Sequence, residues 1–151
     1  MSALTDMLSR NMIALKVDAR DWKEAVRAAG KLLVDSGCVE PQYVPAMIRM
    51  VEEIGSYIVI APGVALPHAR PEEGAKKACM SLVTLDRAVS FGHQDYDPVT
   101  MVIAFAAPEK EGHLEALKEV ARLLEHTDRV SRLKGASSVD EVLEILERPQ
   151  G

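Results

Sequence analysis

The chain has 151 residues, 48% of them hydrophobic and 27% charged, and 23 acidic groups outweigh 18 basic ones for a formal net charge of −5. That is the profile of one soluble globular domain with a sizeable core, read here as residues 1–151, and it excludes a disordered chain. The acidic balance, with no Lys/Arg stripe interleaved with aromatics, argues against nucleic acid as a partner.

The N-terminal stretch MSALTDMLSRNMIALKV carries charges throughout and lacks a long apolar core. It reads as neither a secretory leader nor a membrane-inserted span, and a cytoplasmic location is expected. Asp18 and Asp21 then offer helix-start chemistry. Trp22, Ala25, Val26, Ala29, Leu32 and Leu33 recur at helical spacing, with Lys23, Glu24, Arg27 and Lys31 between them, and Gly37 closes the helix. Pro41 opens a second helix. Its inner face is Val44, Met47, Ile48, Val51 and Ile54, Arg49 belongs to its polar side, and Gly55 ends it. The two cysteines, Cys38 and Cys79, lack CxxC spacing and are expected to be free thiols of a reducing compartment.

The stretch YIVIAPGVALPHARPEEG follows at 57–74. Residues 57–61 form an apolar, strand-like run, Pro62-Gly63 turns the backbone, and Val64-Ala65-Leu66 is a second short apolar run. Pro67 and Pro71 then bracket one histidine. Each proline fixes its own φ and pushes the residue before it towards extended geometry, so His68 sits on a stiff, extended segment. In such a segment side chains alternate, which puts His68 and Arg70 on one face. An imidazole beside a guanidinium on rigid backbone suits a phosphate: one group can carry it and the other can neutralise it. Backbone N–H groups near Gly63 are further candidates for holding it.

Beyond this stretch, residues 79–85 read as a strand, Asp86-Arg87 as a turn, and Val89-Ser90-Phe91 as a short extended piece. Residues 92–98 are polar and turn-rich, a loop that carries His93. Residues 99–107 are nearly all apolar, the mark of a central strand buried on both faces. Residues 108–112 are expected to be a loop. A helix follows with Leu114, Leu117, Val120, Ala121 and Leu124 inward and His113 at its start, near the strand ends where α/β folds build sites. A short helix at 128–134 has Thr127 as cap and Gly135 as stop, and Ser138-Val139-Asp140-Glu141 is a capping box for the last helix. The tail 148–151 is expected to fray. The mixed element order predicts a three-layer α/β sandwich with a mixed sheet of about four or five strands flanked by helices.

The string GVALPHARPEEG, preceded by YIVIAP, resembles the active-site segment of the IIA component of the phosphoenolpyruvate-dependent sugar phosphotransferase system. The likeness is to the mannitol/fructose class and above all to its ascorbate-type branch. DWKEAVRAAGKLLVDSG, VSFGH, DPVTMVIAFAAP and HLEALKEVARLL agree in order, so it covers the chain from about Asp21 to Leu146. The resemblance implies the same architecture and a phosphoryl carrier. His68 would take a phosphoryl group from the phosphohistidine of HPr and pass it to a IIB component, on a cysteine in most of this class. The membrane IIC component would be reached only indirectly. His113 follows His68 by 45 residues, close to the separation of the second active-site histidine in mannitol-type relatives, and would stabilise the phosphate. Some members place an arginine on the second helix near the active histidine, which makes Arg49, with His93, a candidate for the rim of the site. Neither a metal nor another cofactor is expected. A IIA component touches proteins and never the sugar, so ascorbate as the transported sugar rests on the resemblance alone.

Two other readings compete. A metal-dependent hydrolase could draw ligands from His68, His93, His113 and His126 with Asp95 or Asp97, yet no HExxH or HxH pair pre-arranges two of them. A nitrogen-type regulatory IIA protein would keep the fold and the phosphorylatable histidine and use them to control partner binding.

Overall fold

Five strands form one mixed sheet, seen in a computed structural model that describes residues 6–147. They are β1 (Ile13–Val17), β2 (Val59–Ala61), β3 (Val64–Ala65), β4 (Cys79–Val89) and β5 (Val99–Ala106). Their order across the sheet is β1-β4-β5-β3-β2. β4 and β5 are antiparallel, while β1 runs parallel to β4 and β3 parallel to β5. The helices that flank it are α1 (Trp22–Asp35), α2 (Tyr43–Ile54), α3 (Lys110–Glu125), α4 (Thr127–Lys134) and α5 (Val139–Glu147). This is the expected α/β architecture, with the sheet at the upper end of the expected strand number.

Local chemistry explains most of these bounds. Asp21 caps α1 by accepting from the Glu24 N–H at 2.9 Å, and Gly37 leaves the helix with φ +77°. The helix lays Ala25, Val26, Ala29 and Leu33 against β4 and β5. Pro62 and Gly63 form a two-residue turn between β2 and β3, and Gly63 adopts the φ of +73° that such a turn requires of its second residue. Residues 101–106 on β5 are all buried, as a continuous apolar run on a central strand should be.

Several expectations shift. Tyr57 and Ile58 lie in a 3-10 turn (Gly55–Ile58) and the strand begins at Val59, leaving Tyr57 84% exposed. Asp86-Arg87 does not end β4. The ladder with β5 changes register between Thr84 and Val89, so the polar residues occupy an irregularity that the strand passes through. α2 starts at Tyr43, and its buried face includes Tyr43 and Ala46 as well as Met47 and Val51. α3 starts at Lys110 rather than at His113, with Glu109 as its extended N-cap residue. Gly112 is tolerated in that first turn because a Cβ there would stand 3.3 Å from the Ala107 Cβ; the helix start packs tightly onto the end of β5. Ser138 does cap α5, accepting from the Glu141 N–H at 3.1 Å, while the Glu141 carboxylate reaches back to the Ser137 N–H at 3.0 Å. The tail at 148–151 lies outside the described residues.

Candidate functional site

The register of β3 on β5 places the site. Val64 pairs with Met101 and Ala65 with Val102, and the same offset carried forward sets His68 opposite Phe105. The Phe105 N–H donates to the Pro67 carbonyl at 3.4 Å, so the segment after β3 still follows β5. The His68 imidazole lies on the Phe105 ring, with centroids 4.9 Å apart and planes at 25°. α3 begins just beyond the end of β5 and brings His113 into the same group. Its ring meets His68 edge-on at 5.6 Å and 75°, and Phe105 at 5.0 Å and 63°. Three rings from the Pro-bracketed segment, the central strand and the helix start are thus in mutual contact.

His113 is the fourth residue of α3, and its N–H already donates to the Glu109 carbonyl at 3.0 Å. The free N–H groups of this helix start therefore belong to Lys110, Glu111 and Gly112, and a capping role for the His113 side chain is excluded by its place in the turn.

The state of His68 follows from its contacts. Nδ1 lies 3.0 Å from the Leu66 carbonyl, which can only accept, so Nδ1 carries the proton and Nε2 the lone pair. Burial holds the imidazole below its ordinary pKa. The Leu66 carbonyl opposes this and His113 adds to it. His68 is thus a neutral imidazole with a basic Nε2, partly buried among apolar neighbours.

His68 opens into a cleft of about 400 Å³ lined also by Met50, Ala69, Arg70, Pro71, Lys110, His113 and Leu114. Arg70 and His68 do border the same space. Arg70 and Lys110 are exposed and form no ion pair among the described residues. Lys110 escaped the sequence reading because 108–112 looked like a loop. Arg49 borders a smaller adjoining pocket with Ala46, Met50, Glu53, Ala69, Arg70 and Glu73, and its guanidinium pairs with Glu73 at 3.3 Å. It stands next to the cleft rather than in it.

Gly63 and His93 belong elsewhere. The Gly63 N–H donates to the Tyr96 carbonyl at 2.9 Å, and Gly63 pairs alongside Thr100 and Met101. At about 3.3 Å per residue that is roughly 13 Å along β5 from Phe105, so Gly63 offers no amide to a phosphate at His68. The His93 Nδ1 accepts from the N–H groups of Asp95 (3.1 Å) and Tyr96 (3.0 Å), and its ring stacks on Tyr96 at 4.6 Å. It organises the loop before β5, at the other end of that strand, and does not rim the cleft. No group of three or more His, Cys, Asp or Glu among the described residues is placed to hold a metal ion.

Tyr43 joins the site although nothing in its local sequence singles it out. It is 1% exposed, and its hydroxyl lies 2.9 Å from the Phe105 carbonyl, 3.1 Å from the Ala69 carbonyl and 3.0 Å from the Ala69 N–H. Burial pushes its pKa up to about 12, so it remains a protonated donor. Cys79 is buried and its thiol is pushed well above the ordinary range, first by burial and then by its neighbour Cys38; both cysteines are free.

The chain is similar to known proteins over nearly its whole length. Residues 6–148 match the family model described as phosphoenolpyruvate-dependent sugar phosphotransferase system, EIIA 2. The chain is 42% identical over 147 residues to the ascorbate-specific PTS system EIIA component of Escherichia coli (strain K12), covering 96% of each. The solution structure of the mannitol-specific cryptic phosphotransferase enzyme IIA CmtB from Escherichia coli superposes with a TM-score of 0.87 at 33% identity, covering 97% of this chain and 99% of that one. The IIA of a complex of mannitol enzyme IIA with phosphorylated enzyme IIB, also from Escherichia coli, gives 0.81 at 31%, covering 91% and 95%. The chain belongs to the EIIA 2 family of the sugar phosphotransferase system, whose members are phosphoryl carriers.

Proposed function

We propose that this family member carries its phosphoryl group on Nε2 of His68. It accepts the group from the phosphohistidine of HPr and passes it to a IIB component of an ascorbate-type system. The observation that carries the reading is the hydrogen bond from His68 Nδ1–H to the Leu66 carbonyl: it fixes the tautomer whose lone pair is on the nitrogen free to face a donor.

In acceptance, the Nε2 lone pair forms a bond to phosphorus as the bond from phosphorus to the donor histidine breaks, and the donor nitrogen keeps that electron pair. The His68 ring gains positive character, which the Leu66 carbonyl takes up through the Nδ1–H bond. Little covalent chemistry remains beyond positioning and charge stabilisation. Arg70 and Lys110 supply positive charge at the cleft, and the His113 ring supplies a donor next to the imidazole. Transfer onward reverses the same steps towards IIB, and the membrane IIC component is reached through IIB alone. No helix among the described residues is long and apolar enough to cross a membrane. The reading takes residues 1–151 as one IIA-type domain working in the cytoplasm.

The test is incubation with enzyme I, HPr and phosphoenolpyruvate, followed by intact-mass measurement at neutral or alkaline pH, because phosphoramidates hydrolyse in acid. One phosphoryl group per chain, mapped to His68 and discharged by addition of the IIB protein, is the expected result. Phosphate on another residue, or none, refutes the reading.

A further inference from the structure

In a parallel ladder a residue gives its N–H to one carbonyl of the neighbouring strand and receives an N–H from the residue two positions further along it. Phe105 makes the first of these bonds, to the Pro67 carbonyl at 3.4 Å. The second would run from the Ala69 N–H to the Phe105 carbonyl. Instead the Ala69 N–H donates to Tyr43 Oη at 3.0 Å, and Oη lies 2.9 Å from the Phe105 carbonyl. A phenol hydroxyl therefore stands inside the ladder as an inserted link. It does so one residue after His68 and against the residue whose ring supports the imidazole.

The link comes from a third element, since Tyr43 opens α2. A direct N–H···O bond spans about 2.9 Å, whereas the bridged path holds the two backbones about 2 Å further apart. Without the hydroxyl, the Ala69 N–H and the Phe105 carbonyl either lose their partner or close on each other. Either course moves the backbone next to His68.

We propose that Tyr43 is a positioning residue for phosphoryl transfer: its hydroxyl, inserted between Ala69 and Phe105, sets the spacing at which the His68 imidazole stays stacked on Phe105 with Nε2 towards the cleft. The proposal rests on His68 being the phosphoryl carrier. Since displacement by about 1 Å can cost a hundredfold in rate, Tyr43→Phe should lower kcat about ten- to a hundredfold. KM for phospho-HPr should hardly change, because Tyr43 is buried and the exposed rim is untouched.

The experiment compares wild type and Tyr43→Phe by steady-state transfer kinetics and by NMR of the His68 ring nitrogens and the Ala69 and Phe105 amides. A fall in kcat with constant KM, together with changed His68 ring shifts, supports the proposal. A lower Tm with kcat, KM and ring shifts all as in wild type shows a packing role and overturns it. Wild-type protein that takes no phosphate on His68 overturns both the proposal and the reading beneath it. The unsubstituted protein gives a check that does not depend on the variant folding. The Tyr43 hydroxyl proton should appear as a slowly exchanging resonance with a cross-peak to the Ala69 amide, and its absence also overturns the proposal.

Discussion

Two histidines stand at opposite ends of β5, each stacked on an aromatic ring, and they differ in what the backbone asks of the same nitrogen, Nδ1. At the end near Ala106, His68 donates Nδ1–H to a carbonyl and keeps its lone pair on Nε2, beside a cleft bordered by Arg70 and Lys110. At the start of the strand, the His93 Nδ1 accepts from two amides of its own loop, so its lone pair is spent on a turn and Nε2 bears the proton. The surroundings differ in the same sense. Around His93, Asp97 accepts from Ser90 and from the amides of Phe91 and Gly92, and nearby Lys134 donates to the Pro62 carbonyl at 2.6 Å. Those polar groups satisfy one another, while Arg70 and Lys110 at the His68 end form no ion pair among the described residues. Residue type alone thus says little about a site. The tautomer imposed by the neighbouring backbone, and the presence of uncommitted charge, separate a group poised for chemistry from one that holds a loop.

The sharpest way to break this comparison is to remove each histidine in turn. His68→Ala should abolish phosphoryl acceptance in the intact-mass assay. His93→Ala should be phosphorylated at the wild-type rate while losing about 1 kcal/mol of stability with its loop hydrogen bonds, read as a lower midpoint in urea. Acceptance surviving in the first variant, or lost in a folded second one, would reverse the roles assigned to the two ends. Next in size is His113→Ala. The variant should still be phosphorylated on His68 but transfer to IIB about ten- to a thousandfold more slowly, as expected for loss of one charge-assisted donor in the transition state. Because His113 does not cap α3, its Tm should stay near that of wild type; normal transfer with a clearly lower Tm would show that the ring only packs.

What the sequence made legible was what neighbours in the chain decide. The Pro67 and Pro71 bracket announced a stiff His68, the continuous apolar run announced β5, and Asp21 and Gly37 marked the bounds of α1. What stayed hidden depends on pairing between distant segments. Nothing local says that residue 68 will face residue 105, that the Gly63 amide will be taken by Tyr96, or that a tyrosine at the start of α2 will reach Ala69 and Phe105. Lys110 was missed for a different reason. Gly112 reads locally as a helix breaker, and only its close approach to Ala107 shows why a helix keeps it.

Arg70 and Lys110 sharpen the comparison on the side of charge. Both are solvent-exposed, so each should contribute less than His113, and salt should weaken what they contribute. Arg70→Ala should slow transfer about tenfold and Arg70→Lys less, since lysine keeps the charge and loses the planar fork. Lys110→Ala should slow it a few-fold, with an effect that shrinks at high ionic strength. Wild-type rates for all three variants in single-turnover transfer would reduce both residues to solvated surface charges.

The smallest effect expected is one of pH, and its sign follows from burial. His68 is held below the ordinary imidazole value of 6.5, mainly because burial penalises the charged ring. The nucleophile is the neutral form, so the acid limb of the acceptance rate should lie below pH 6.5. The same shift links to stability. The unfolded chain takes up the proton first as pH falls, so the native state loses stability from about pH 6.5 downward, and the loss is complete once the folded-state value has been passed. Above pH 6.5 both states hold the ring neutral and this dependence vanishes. His113 also depresses the His68 value, as the weakest of the three causes, so His113→Gln should move the acid limb slightly upward. His93 gives the control: His93→Gln should leave the limb in place, because that ring lies at the other end of β5. Rate profiles measured from pH 5 to 8 on wild type and both variants decide the matter; a wild-type limb at or above 6.5 would mean that the apolar setting of His68 does not govern its protonation.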